Sequence, residues 1–369
     1  MGGLPWGGSE ELWFQTAVFA LNEGVKVSIY IKKWSSEHEK IIHLRDLGAQ
    51  VNYFEATYSS TKDTFVQRIL GQKVRSASQA FLSQVELSNP DVIIVNQGDT
   101  FSAFNSPVFA QLIKLNIPVC LISQHLSDSG FPDAQLRIKA NRYIDKISKF
   151  CFVSQRSLEL TKRYLNTDGT NFHLVNNPVN LDRKEIVKFP DLTVPSFAVV
   201  ARLDCHFKGQ DILLEVLSQD KWKSREWSCN FYGKGIDKDY LHLLIDKYGL
   251  NEKVQLKGHL ESVEEIWKDN HLLILPSISE GTPLSLVEAN ICGRAAVVTD
   301  VGGNTEVVQE NQNGWIAEAP LKVYIDKALE RAWENKNRWE EMGQTAHKRA
   351  LERYEMNAGQ QLFDLIAEY

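Results

Sequence analysis

The chain has 369 residues, 43% hydrophobic and 24% charged, the balance of an ordinary soluble globular protein. That length exceeds what one core usually serves, so two domains are expected. A net charge of −6 argues against a nucleic-acid partner, which favours a basic face, and no stretch approaches the roughly 18–20 uncharged apolar residues of a membrane span. The opening "MGGLPWGGSEEL" has neither the basic start nor the apolar run of a signal peptide. Five scattered cysteines (Cys120, Cys151, Cys205, Cys229, Cys292) read as buried thiols of a reducing cytosol.

In chain order, "SEELWFQTAVFALNEG" (9–24) has helical spacing. Apolar β-branched runs at 25–31, 49–54 and 91–97 then read as buried strands. "SPVFAQLIKLN" (106–116) reads as a helix, followed by strands at 117–123 and 149–155. The basic stretch 137–149 reads as helical. A solvated helix face is its favoured reading, contact with an anionic acceptor or lipid head groups the alternative. The stretch 173–196 carries three prolines and little helical period, which marks a linker near 178–195. Strands resume at 196–203, 227–233, 253–258, 271–277 and 295–303.

This alternation predicts an α/β protein with parallel sheets covered on both faces. Two Rossmann-like domains are expected to face each other across a cleft. The divisions are 1–178, 179–350 and a terminal helix, 351–369, packing back on the first domain. Ligands of such sheets bind beyond the carboxyl ends of the strands.

Three loops of the second half carry chemistry. In "ARLDCHFKG", Arg202 and Lys208 sit near a helix N-terminus, where amides and dipole already favour an anion such as a diphosphate. In "ISEGTPLSLVEAN", Glu280 precedes a helix and Glu288 lies two turns in. Thr282 is a suitable N-cap, Pro283 a suitable first residue, and Gly293 a natural stop. In "TDVGGNTEVV", Gly302-Gly303 suits close backbone approach. Each reading has a plainer rival: surface cations, a loop charge, a solvated helix residue, a simple turn.

Together, "RLDCHFKG", "YGKG", "LKGHL", "SEGTPLSLVEA", "GRAAVVTDVGGNTEVV" and "NGWIA" resemble the retaining family-4 (group 1) glycosyltransferases of the GT-B fold. "PWGGSEE" and "SQHLSDSG" extend the resemblance through the N-terminal half. It implies a hexosyl-type transferase that takes a UDP- or GDP-linked sugar, with no metal, and passes it to a saccharide or lipid-linked acceptor with retention. It further implies that Glu280 contacts the transferred sugar, Glu288 the ribose hydroxyls, and Arg202 and Lys208 the diphosphate. Gly8, Gly281 and Thr282 join the donor-binding set. Pro283 has no N–H, so Leu284 and Ser285 would supply the helix amides. A loop at Gly258–Leu260 would meet the base, with Leu260 the contact. His125 matches a family histidine near the reacting sugar. Its plainer rival is a structural histidine.

The resemblance also implies a cytoplasmic protein, at most in weak peripheral contact with the membrane's inner face, working in polysaccharide or glycolipid assembly. Two features depart from the pattern. The family has a strand ahead of the Gly-rich loop, and this chain starts inside that loop. Asp237 and Asp239 form an Asp-x-Asp, which helix capping explains better than a metal. A sugar-nucleotide epimerase and a non-catalytic nucleotide-sugar-binding subunit remain as alternatives.

Overall fold

The computed structural model describes residues 6–54, 79–127, 130–179, 181, 185–260, 262–354 and 357–368. Among these residues every strand pairing is parallel. The first half contains β1 (Ser28–Lys32), β2 (Gln50–Phe54), β3 (Ile93–Asp99), β4 (Val119–His125), β5 (Lys149–Phe152) and β6 (Phe172–Leu174). The second contains β7 (Ser196–Val200), β8 (Ser228–Tyr232), β9 (Val254–Gly258), β10 (Leu272–Leu275), β11 (Ala295–Thr299) and β12 (Gly314–Ala317). Helices intervene, as near-continuous apolar strands require when both sheet faces must be covered.

The second-half sheet has the order β12-β11-β10-β7-β8-β9. Chain order reverses between β7 and β10, so the loops after these two strands flank the switch point where α/β sheets bind ligands. Arg202 and Lys208 follow β7, and Glu280 follows β10. Two apolar layers sandwich the sheet, one holding Phe197, Trp222 and Trp315, the other Trp267, Leu286 and Val298. Each indole is fully buried. Large side chains of this kind contribute about 1.5–3 kcal/mol each or more.

The first half is built in two pieces. β3-β4-β5-β6 form one sheet and β1-β2 another. The helix Glu11–Asn22 is covered by the terminal helix Ala358–Ile366, with Phe19 and Phe363 5.2 Å apart by ring centroids. Leu12, Cys120, Ile122, Cys151, Leu362 and Ile366 share one apolar cluster beneath them. The two halves together are two Rossmann-like α/β units, the GT-B architecture.

Local differences from the sequence expectations have physical causes. The helix expected over 106–116 is reduced to Phe109–Leu112, because Ile117-Pro118 and the left-handed Asn116 (φ 55°) end it early. The basic stretch is not one helix: it crosses the helix Ala134–Tyr143, a turn at Ile144–Lys146 and the start of β5. Lys149 is buried there and ion-paired with Glu368, just past the end of the terminal helix. β6 overlaps the first residues of the proline-bearing stretch 173–196, ahead of the linker near 178–195, and its half-exposed edge position explains its weak apolar signal. The helix Trp339–Arg353 runs past residue 350, so the return to the first half starts at the buried Tyr354. All five cysteines are free and buried. No helix among the described residues is long and apolar enough to cross a membrane.

Candidate active site

The short helix Cys205–Lys208 follows β7. Its first amide, at Cys205, donates to the Asp237 carboxylate at 2.7 Å. Asp237 therefore caps a neighbouring helix rather than its own, which makes no side-chain cap bond. The "DKD" capping role is thus corrected for Asp237. Asp239 lies in the first turn of the helix Lys238–Tyr248, where its charge complements the dipole.

Arg202 is held from two sides. Its Nη2 lies 2.9 Å from Asp204, and its guanidinium stands 5.9 Å from the Phe207 ring centroid. The buried Nε has no protein partner. Lys208 Nζ is 2.6 Å from Glu280 Oε1, which also accepts from the Ser277 hydroxyl at 2.7 Å. Glu280 is only 6% exposed, so the loops after β7 and β10 are joined by a nearly dry ion pair. The sequence placed these residues in separate loops, and the fold brings them into contact.

The helix after Glu280 is Leu284–Ile291, with Gly293 left-handed just beyond it (φ 77°). Its N-cap is Pro283, not Thr282, which corrects the capping role. The Thr282 hydroxyl instead donates to Val153 O at 2.7 Å, across to the end of β5. A Cβ on Gly281 would lie 2.1 Å from Gln124 O, so only glycine permits this approach to β4. Leu284 and Ser285 are partly exposed at the first turn, where amides lack intrahelical acceptors. Glu288 is buried on the same helix, at 6% exposure, not solvated as the plainer reading had it. A Cβ on Gly302 would lie 2.1 Å from Glu280 O, which ties the third loop to the second.

The N-terminal residues converge on the same place. His125, at the carboxyl end of β4, has Nε2 2.5 Å from Ser279 Oγ, one residue from Glu280. Its ring meets Phe207 edge-on. A Cβ on Gly8 would stand 3.2 Å from Leu284 Cδ1, so the Gly-rich loop touches the start of the Leu284–Ile291 helix. Ser9 does not cap the following helix. Its hydroxyl donates to Glu10, and burial pushes that carboxyl above the usual carboxylate range. Leu260 stands apart from these contacts, 38% exposed beyond β9.

Several further side chains complete the site without having been assigned a role by the sequence. Ser277 and Ser279 precede Glu280. A chain of amides runs Asn177–Gln124–Asn96–Ser9 O, with contacts of 3.0, 3.1 and 3.1 Å. Glu306 accepts from the Gln155 and Arg156 amides at 3.1 and 3.0 Å and so caps the helix Gln155–Leu165 of the other half. Only pairing of partners distant in sequence reveals these. No group of three or more His, Cys, Asp or Glu side chains suited to a metal occurs among the described residues.

Residues 182–349 match the family model described as glycosyl transferases group 1. The GtfA subunit of a UDP-N-acetylglucosamine--peptide N-acetylglucosaminyltransferase from Streptococcus parasanguinis is 27% identical over 281 residues, 72% of this chain and 54% of that one. The chain thus spans about half the length of the first curated relatives it matches. A glycosyltransferase structure from Rickettsia africae superposes with a TM-score of 0.74 at 16% identity, covering 100% of this chain and 96% of the other. Anabaena HepE in complex with UDP gives 0.69 at 16%, covering 100% and 98%. These structures share the fold.

Proposed function

We propose that the protein is a group 1 glycosyltransferase that moves a sugar from a nucleotide-sugar donor to a saccharide or lipid-linked acceptor with retention of configuration. The observation that carries this reading is the Arg202–Lys208–Glu280 constellation at the sheet's switch point, beside the free amides of the Leu284–Ile291 helix. Breaking an anomeric bond leaves negative charge on the departing diphosphate. Two fixed cations and a helix N-terminus are preorganised for that charge, which lowers the barrier without reorganisation at the moment of reaction. Arg202 offers a forked donor, and Lys208 a point charge already oriented by Glu280. Glu280 then faces the sugar, and Glu288, shielded from water, accepts from the ribose hydroxyls. His125 lines the sugar side from β4, positioned by Ser279. The site's own cations take the place a divalent ion would fill, so no metal is required. UDP- and GDP-linked hexoses are the donors to test first, and the UDP complex of Anabaena HepE supports that order.

The split first-half sheet favours one alternative, a non-catalytic nucleotide-sugar-binding subunit. Incubation with UDP- and GDP-hexoses, with and without saccharide acceptors, separates the two. Transfer or donor hydrolysis, with the product anomer identified by NMR, supports the enzyme. Micromolar binding with no turnover of any donor rejects it.

A further inference from the structure

The ladder between β10 and β11 ends at the pair Leu275–Val298. Pro276, next in line, has no N–H with which to extend it. A side chain takes over. Thr299 Oγ1 donates to Ser277 O at 2.5 Å, and Asn304 Nδ2 donates to Thr299 O at 2.9 Å. Ser277, Thr299 and Asn304 are all fully buried. On the opposite side, Phe207 O accepts from the amides of Ile278 and Ser279 at 2.8 and 3.2 Å. A Cβ on Gly209, left-handed at φ 59°, would lie 2.3 Å from Pro276 O, so the turn after Lys208 rests directly on the end of β10. The backbone of Ser277 is thus clamped from β11 on one side and from the loop after β7 on the other.

That clamp aims one hydroxyl at one oxygen. Glu280 is held through Oε1 alone, which takes Lys208 Nζ at 2.6 Å and Ser277 Oγ at 2.7 Å. Among the described residues Oε2 accepts no hydrogen bond, and it keeps part of the small exposure of Glu280. The last torsion of a glutamate is broad, and a lysine ammonium rides on a flexible four-carbon stem. Lys208 alone would leave the carboxylate free to turn and to swap its oxygens. A second donor on fixed backbone removes that freedom.

We propose that Ser277 is a positioning residue for sugar transfer. Its hydroxyl locks Oε1 of Glu280, so that Oε2 is the oxygen presented to a hydroxyl of the transferred sugar. Thr299 supports it by fixing the Ser277 backbone. This rests on the glycosyltransferase reading above. It adds that the carboxylate's orientation is set by a group that never meets the ligand, as preorganised sites require.

The test compares Ser277→Ala, Ser277→Cys and Thr299→Val with the parent, using whichever UDP- or GDP-hexose the parent turns over and the matching nucleoside diphosphate. A thiol fills the space of the hydroxyl but is a weak donor. In both Ser277 variants kcat should fall by roughly ten- to hundredfold, the loss of one hydrogen bond to a charged group. Thr299→Val should show a smaller fall. Affinity for the free nucleoside diphosphate, which carries no sugar to reach Oε2, should stay within about twofold in calorimetry. Unchanged kcat in Ser277→Ala overturns the proposal. So does full activity in Ser277→Cys, which would mean that the side chain only fills space, and so does a parallel loss of nucleoside-diphosphate affinity, which would mean a collapsed loop. Should Ser277→Ala melt too low to assay, the other two variants decide, and unchanged kcat in both overturns it. A parent that turns over none of the donors fails the glycosyltransferase reading itself, and this inference falls with it. A parent that turns over while its variants match it fails this inference alone.

Discussion

Replacing Lys208 by Met tests the ion pair and the diphosphate assignment in one variant. Glu280 is 7% exposed at its side chain and Lys208 20%. Loss of the ammonium leaves the carboxylate with the Ser277 hydroxyl at 2.7 Å. Breaking a fully buried pair costs about 3–5 kcal/mol. Partial exposure of the lysine lets water relieve some of that, so about 2–4 kcal/mol is expected. For a cooperative unit of this size the melting midpoint should fall by roughly 5–15 °C. Nucleoside-diphosphate affinity should fall separately. One charge-assisted contact is worth about 1.5–3 kcal/mol, or roughly 10–150-fold in Kd by titration calorimetry. The double variant Lys208→Met/Glu280→Gln separates the two effects, because a neutral amide no longer needs the cation. Stability should return while affinity stays low. A midpoint within about 1 °C of the parent in Lys208→Met refutes the buried-pair reasoning. Unchanged affinity refutes the diphosphate role.

Other perturbations probe the neighbouring contacts. Gly281→Ala places a methyl 2.1 Å from Gln124 O and should cost about 1–3 kcal/mol by thermal melting, with turnover lost through displaced loops. A fully stable, fully active Gly281→Ala would mean that the approach of the halves is not needed. Glu288→Gln should weaken donor binding by about tenfold with ribose nucleotides and less with the 2′-deoxy analogues, since an amide keeps one acceptor oxygen. Equal discrimination by parent and variant would remove Glu288 from the ribose site. Burial raises the Glu10 carboxyl above its unfolded value, so the folded state resists ionisation and loses stability as pH rises from the unfolded value through the raised folded one. Glu10→Gln should therefore melt higher than the parent at pH 8, with the gap closing below about pH 4.5. A gap that is independent of pH would refute it. Donor hydrolysis should continue within about twofold in excess EDTA, since Arg202 and Lys208 already neutralise a diphosphate. Abolition by the chelator, with rescue by magnesium, would refute the cation argument.

The second half was the more legible in sequence. Its strands are uniform apolar runs, and its loops begin and end on residues with fixed backbone habits, such as Gly293 at a helix end. Arg202, Lys208 and Glu280 were found because they lie in the segments that follow β7 and β10. Their grouping was hidden, since it depends on β7 and β10 being neighbours in the sheet. The caps were misread for a different reason. Thr282 and Asp237 have capping chemistry, but tertiary partners offered better geometry: Val153 O and the Cys205 amide. Local propensity decides a cap only where no long-range acceptor or donor competes. Lys149 shows the same limit, since nothing nearby in sequence predicts its pairing with Glu368.

The contacts that join the halves come from the same loops that build the donor site. Ser279 meets His125, Gly281 meets Gln124, Thr282 meets Val153, and Glu306 caps the helix that follows β5. All of these land on the ends of β4 and β5 or just beyond. The interrupted part of the first-half sheet lies on the other side of β3, away from this seam. The cleft's geometry is therefore carried by the four-stranded sheet and does not depend on how β1 and β2 are held. The Gly7–Gly8 loop is the exception, because it rests on Leu284 and is tied to β3 by the bond from Asn96 to Ser9 O. Among the described residues, the split part of the sheet therefore reaches the donor site through that loop, and the Lys208–Glu280 pair stands independent of it.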